Sequence, residues 1–360
     1  MIAFIGTIIA INAINNLGKL EVIMFEIKKL LIIILFLSLT CSQTHAKSKY
    51  RLKFATMAPK TIGWSMQIRN VFMPAFEKVT EGNISIKWYW GGLKGDDIDA
   101  IKLMSEGKLD GAALAAHGVT LICPEMAALG LPFLFQNFDE VDYVRNHMVK
   151  RFNQLAEKQG YKLLFWGDQD IDQVYTIQQP IQTRDDFEGV TMAGFYNTPI
   201  DLLVAKKLHT NYMPIRTLDF NSVLRQRKAD AYIGPALWVV GCQLYTLFRY
   251  VTPINMRYSP AALVITKKTW DKIPQKYHSP ILNMLKYKGK EFCKKARIDT
   301  DRALKAMKKY GVKIIKMPPD EKRKLNKACQ PVWTETTNSA FPESILKEIQ
   351  GHLQDYRNHQ

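Results

Sequence analysis

The stretch from about Gln275 to Tyr310 constrains the fold of this chain more than any other. It holds one glycine, Gly289, and no proline after Pro280, while Ile281, Leu282, Leu285, Phe292, Ala296, Ile298, Ala303, Leu304 and Met307 follow one another along it. That pattern predicts one long helix, or two nearly continuous ones, reaching up to about 45 Å at ~1.5 Å per residue. One small domain does not need a helix of that length. Two domains can be braced by it.

The segments before it alternate between the periods of strand and helix. YRLKFAT (50–56) reads as a strand, and from Trp64 to about Val79 the residues Met66, Ile68, Val71, Phe72 and Phe76 keep helical spacing. ISIKWYW (84–90) is a second strand, a helix follows over about 96–106, and LDGAALAA supplies a short buried strand. The order repeats with strands at 161–167, 174–178 and 190–195, helices at about 199–208 and 217–228, and the strand ADAYIG. VKIIKM after the long helix reads as a further strand. Such alternation predicts an α/β chain with a mainly parallel sheet, and 360 residues suffice for two domains. VTPINMRYSPAALVIT (251–266) contains two prolines, which predicts an extended crossover rather than a central strand.

Near the start, Lys28 and Lys29 precede an apolar run from Leu30 to Leu39, and Thr44-His45-Ala46 has the small-x-small form of a cleavage site. This is the pattern of a secretory signal peptide, with cleavage expected after Ala46 and residues 1–23 reading as an upstream extension. An uncleaved anchor is disfavoured by Asn12, Asn15, Asn16, Lys19 and Glu21, and a lipoprotein at Cys41 by the bulk of Thr40. No further run is long and apolar enough to span a bilayer. Loss of 1–46 removes three lysines and two glutamates, so the formal charge of +17 falls by one. The remaining Cys123, Cys242, Cys293 and Cys329 form no C-x-x-C pair, and Cys293 with Cys329 is the expected disulfide if one forms.

Catalytic, metal and cofactor motifs are not found. There is no G-x-S-x-G, H-E-x-x-H or phosphate-binding glycine loop. Asp168, Asp170 and Asp172 begin a calcium-loop pattern, but Gln173 and Gln179 stand where glycine and glutamate are required, so the run reads as a solvated loop. His117, directly after a buried strand, reads as a cleft residue rather than a base, since no acidic partner is positioned by the sequence. GGLKGD (91–96) is a glycine turn able to present N–H groups to an anion.

Several segments occur in a telling order: ATMAP (55–59), GGLKGDDIDAIKLMSEGKLDG, LGLPFLFQNFDEVDYVR (129–145), FEGVTM (187–192), FNSVLRQRKADAYIGP (220–235), ALVITKKTWDKIP and GVKII. Together they resemble the substrate-binding receptors of tripartite ATP-independent periplasmic (TRAP) transporters of the dicarboxylate type, over about residues 50–335. The resemblance implies a two-domain, periplasmic-binding-protein-like α/β fold with an interdomain cleft and a long bracing helix. It also implies a non-enzymatic, periplasmic receptor that hands a small molecule to membrane permease subunits. Lobes are expected at 50–167 with 259–285, and at 168–258 with 286–360.

In most such receptors the segment equivalent to GVTMAG carries an arginine four residues after the glycine, and its planar fork grips a substrate carboxylate. Here that position is Ala193. The resemblance is therefore to a divergent branch with an apolar cleft, some of whose members work beside a tetratricopeptide-repeat partner. The expected site comprises Trp64, Trp166, Ala193, Phe195, Tyr196, Pro235 and Trp238, with His117, Asp168 and Gln169 as polar points, and Phe133 and Phe135 in the core. Three other readings compete. One is an ordinary organic acid held by backbone N–H groups and Lys60 or Lys94. The second is an exported hydrolase using His117 and Asp168. The third is a surface for nucleic acid or anionic lipid along Lys286, Lys288, Lys290, Lys294, Lys295, Lys305, Lys308 and Lys309, although export makes nucleic acid an unsuitable partner.

Overall fold

A computed structural model describes Lys28, Lys29 and residues 48–360. The cleavage point after Ala46 and the rest of the expected signal peptide lie outside the described residues. The first half of the chain contains β1 (Tyr50–Thr56), a helix α1 over 64–79, β2 (Ile84–Tyr89), α2 (Asp97–Ser105), β3 (Gly111–Leu114), α3 (Ala116–Ile122) and α4 (Phe138–Lys158). The middle of α1, Ile68–Phe72, is wound as a π-helix. After β4 (Tyr161–Thr176) come β5 (Thr191–Phe195), α5 (Pro199–Lys207), β6 (Asn211–Ile215), α6 (Phe220–Arg225), β7 (Ala231–Gly234) and α7 (Ala236–Gly241). The chain ends with β8 (Tyr250–Thr266), α8 (Lys267–Trp270), α9 (Gln275–Lys309), β9 (Lys313–Ile314), α10 (Pro319–Cys329), α11 (Pro331–Thr336) and α12 (Glu343–Asn358).

The nine strands among the described residues join one sheet in the order β2-β1-β3-β8-β4-β7-β5-β6, with β9 added on β8. The flanks β2-β1-β3 and β7-β5-β6 are parallel, an arrangement that requires crossovers such as the helices between these strands. The centre is antiparallel, because β8 pairs with β3 and β4, and β4 pairs with β7. The expected mainly parallel sheet is thus a mixed one. Its two parallel units are tied by the 16-residue β4 and the 17-residue β8, which both run from one half to the other.

Two expectations fail at these strands. Residues 251–266 form central strand β8 instead of a crossover, because its prolines fall at irregularities. The register slips between Asp172 and Val174 where Pro253 lies opposite, and again just beyond the Asp168–Pro260 pair. Residues 161–167 and 174–178 are parts of the same strand, and the DQDIDQ run between them is its buried middle. Asp168, Asp170 and Asp172 are at most 2% exposed.

The long helix is continuous over 35 residues, about 50 Å at ~1.5 Å per residue. Its early residues Tyr277, Ile281, Leu285 and Phe292 pack into the cluster around Phe54, Phe72 and Trp270. Its late residues Ala303 and Met307 enter a different cluster with Tyr175, Phe220 and Tyr232. One helix therefore buries its apolar stripe against both halves. The anticipated cysteine pair is absent: Cys293 and Cys329 are both free, and they sit in separate hydrophobic clusters.

Candidate functional site

Between the two halves lies a cavity of about 340 Å³, within the usual range for small-molecule sites. Its walls come from both sides. The first half contributes the loop after β1, including Pro59 and Trp64 at the head of α1, and the start of α3 with His117. The second half contributes Phe195 at the end of β5, Tyr232 of β7, and Pro235 and Trp238 around the start of α7.

The aromatic wall is an interlocked set. His117 stacks on Phe195 at 5.3 Å between centroids and 8° between planes, joining the two halves. Phe220 meets Phe195 at 5.2 Å and Trp238 edge-on at 4.9 Å, while Tyr232 lies 5.1 Å from Trp238. Pairs of this geometry hold their rings beyond simple area burial. Burial pushes the His117 imidazole below its ordinary value, against a bond to the Tyr196 backbone that supports the charged form.

The strand β4 organises the polar part. Gln169 accepts the Ala116 N–H at 3.0 Å through Oε1, and Asp170 accepts the Ala236 N–H at 2.8 Å. Adjacent residues of one strand therefore cap α3 in one half and α7 in the other. Burial drives the Asp170 carboxyl well above its ordinary value. Asp97, at the start of α2, accepts the Ala115 N–H at 2.9 Å, and burial lifts its pKa to about 7. Gly118 makes this contact possible, since a Cβ there would stand 2.6 Å from the Asp97 carboxylate.

A cation is present where the sequence suggested none. Arg257 of β8 lines the cavity. Its Nε donates to Asp172 at 2.9 Å, and its Nη1 pairs with Asp201 of α5. Asp172 is fully buried and also accepts from Ser259 at 2.7 Å. Burial raises its pKa even against Arg257. The guanidinium is thus already shared between two carboxylates.

Of the ten expected site residues, Trp64, His117, Gln169, Phe195, Pro235 and Trp238 line the cavity, whereas Trp166, Asp168, Ala193 and Tyr196 do not. Trp166 is core, donating its indole N–H to Tyr258 Oη at 3.0 Å and packing on Phe152. Asp168 stands behind the wall, paired with Arg145 and, at 2.7 Å, with Arg297. Burial alone would raise its pKa, but the two guanidinium groups outweigh it and hold it low. Ala193 is buried beside a separate void of about 10 Å³ that Arg257 and Asp201 also border. Tyr196 is 45% exposed. Phe135 is core, as expected, whereas Phe133 is only partly buried and packs against that cluster.

The basic residues offered for an acid do not reach the cavity. Lys60 and Lys94 are not among its lining residues, and Lys94 lies over the Tyr89 ring at 4.6 Å. The N–H groups after the GGLKGD turn are taken by the chain's own Asp96, which accepts from Ile98 and Asp99. Missed by sequence reasoning were Asp97, Asp172, Asp201, Tyr232 and Arg257. Only the alternating acids of DQDIDQ hinted at a shared face. The partner of Asp172 is 85 residues away.

The chain matches the family described as DctP, bacterial extracellular solute-binding protein family 7, over residues 54–339. It belongs to that family. Like the rest of the family it is a solute-binding protein rather than an enzyme, and its setting is the periplasm. Among curated relatives it is 21% identical to the 2,3-diketo-L-gulonate-binding periplasmic protein YiaO of Escherichia coli, over 68% of this chain and 74% of that one. Its fold superposes on the sugar acid binding protein DctPAm of Advenella mimigardefordensis, crystallised with galactonate. The TM-score is 0.80 at 19% identity, covering 86% of this chain and 99% of the other. A TRAP periplasmic solute binding protein of Sulfurospirillum deleyianum with bound succinate gives 0.77 at 18% identity, covering 84% and 99%.

Proposed function

We propose that this DctP-family protein is the receptor of an ion-gradient-driven TRAP transporter that closes on one small, apolar or amphipathic molecule and hands it to membrane permease subunits. A tetratricopeptide-repeat protein is a candidate additional partner. The lobes of this reading are residues 50–167 with 259–285 and residues 168–258 with 286–360, hinging where β4 and β8 pass between them.

The observation that carries the ligand class is the cavity wall. Phe195, Tyr232 and Trp238 form its apolar side, and its one guanidinium, Arg257, is held by Asp172 and Asp201. Burying about 200 Å² of apolar ligand surface there is worth roughly 5 kcal/mol before ordering costs. A carboxylate entering the same space meets a guanidinium whose charge Asp172 and Asp201 already offset, so its net attraction there is small.

Native mass spectrometry of protein purified without refolding tests this reading, with one co-purified non-acidic small molecule per chain as the expected result. Calorimetry with succinate, malate and galactonate is expected to give weak binding or none. A second reading, an organic-acid ligand, is favoured by Arg257 in the wall and by the acids bound in the two similar folds. Micromolar binding of a carboxylate that is lost in Arg257→Met would establish it instead.

A further inference from the structure

Helix α9 carries a surplus of positive charge that the fold does not use. From Lys286 to Lys309 it holds ten lysines and arginines against three acids. Four of these cations are matched within the molecule. Glu291 pairs with Lys288 and Lys295, Asp299 pairs with Arg302, and Arg297 turns inward to Asp142 and Asp168. The other six, Lys286, Lys290, Lys294, Lys305, Lys308 and Lys309, are exposed, and none of them is in an ion pair among the described residues. Asp301 is the one acid of the stretch left to set against them.

The six are not scattered around the helix. At about 3.6 residues per turn, Lys290, Lys294, Lys305, Lys308 and Lys309 fall on the side opposite the buried Leu285, Phe292, Ala296, Ala303 and Met307, with Lys286 at the edge of that side. The row is about 35 Å long at ~1.5 Å per residue. Apolar side chains are set into it: Tyr287 is 74% exposed and Ile298 41%, and Tyr310, 71% exposed, ends the helix. Alternating signs of charge are the pattern of a helix face that meets only water. This face has essentially one sign.

We propose that α9 rests on an anionic phospholipid surface, with its lysines at the headgroup phosphates and Tyr287, Ile298 and Tyr310 at headgroup level. The complementarity is one of charge, since an anionic leaflet strengthens binding about fivefold for each lysine held near it. Tyrosine favours the same boundary between water and hydrocarbon. A nucleic acid would meet the same lysines, but the periplasmic setting of the family does not supply one. An acidic protein is the competing occupant, and the exposed tyrosines near both ends of the row favour lipid over it. No residue of α9 lines the cavity, so contact with lipid through this helix does not involve the ligand site.

Co-sedimentation with vesicles tests it on protein exported to and purified from the periplasm. Vesicles of phosphatidylcholine mixed with phosphatidylglycerol are expected to bind the protein at least about tenfold more tightly than phosphatidylcholine alone, with the difference shrinking as salt is added. Combining Lys290→Gln, Lys294→Gln and Lys305→Gln is expected to weaken that binding about tenfold or more. Combining Lys150→Gln, Lys158→Gln and Lys206→Gln removes the same charge from exposed lysines of α4 and α5. That control is expected to stay within about twofold of the parent, because charges beyond a Debye length of the surface are screened. Equal losses in the two triple variants would assign the attraction to the net charge of the whole chain, and equal binding to both kinds of vesicle would remove charge from it. Either result overturns the proposal. Failure to bind the anionic vesicles overturns it as well, and binding to soluble polyglutamate in their place would assign the row to an acidic protein.

Discussion

Arg257 stands between Asp172 and Asp201, all three largely withdrawn from water. Removing one member of a buried ion cluster leaves the others charged and unpaired, a loss of about 3–5 kcal/mol. Arg257→Met is therefore expected to lower unfolding stability by that amount in urea titrations, and adding Asp201→Asn to restore part of it. Asp97 gives a pH signature of the opposite sign from an ion-paired carboxylate such as Asp168. Its folded pKa is about 7 against 3.8 in the unfolded chain. As pH rises through that window the unfolded chain releases the proton and the folded one keeps it, so this group costs stability progressively up to about pH 7. Asp97→Asn is expected to be more stable than the parent at pH 8, with the advantage vanishing by about pH 4. Urea titrations at both pH values check it.

At the scale of elements, β4 does three separate tasks with alternate aspartates. Asp168 ties it to α4 and α9 through Arg145 and Arg297, Asp170 caps α7, and Asp172 faces the cavity. Asp168→Ala strips the buried Arg145 of its deepest partner and is expected to cost about 3–5 kcal/mol of stability. Ligand affinity of the folded fraction should stay within a few-fold, because Asp168 is not in the cavity wall. A large affinity loss in calorimetry would return Asp168 to the site. The contact of α9 with the sheet depends on Gly289, where a Cβ would lie 2.3 Å from the Phe165 ring. Phe72 and Phe292 pack around that ring and block its escape. Gly289→Ala, which would gain about 1 kcal/mol in an exposed helix, is expected instead to lower the melting temperature through overpacking of about 1–3 kcal/mol.

For the whole molecule, Arg216, just after β6, links to the first half at the start of α2, donating to Asp96 at 2.7 Å and Asp99 at 2.8 Å. The pair is partly exposed, so its worth to stability is under about 1 kcal/mol. Its worth to closure is larger in the proposed mechanism. Arg216→Ala is expected to weaken ligand binding about three- to tenfold with little change in unfolding, as calorimetry and urea titration together would show. The family resemblance suggested Trp64, His117, Phe195 and Trp238 as cleft residues, and local patterns were enough to read the α/β class, the strand–helix alternation of the flanks and a long helix, in one piece or two, over α9. Each rests on residues close together along the chain, where spacing dictates helix or strand and a strand end presents its side chains to a cleft. The central course of β8, the burial of DQDIDQ and the presence of Arg257 in the cavity were decided only in three dimensions. Proline looks like a break until a slip in strand register accommodates it, and three aspartates look solvated until arginines and amide groups from remote segments surround them. Charge depends on its surroundings, and those surroundings are assembled by strands and helices that only the tertiary fold brings together.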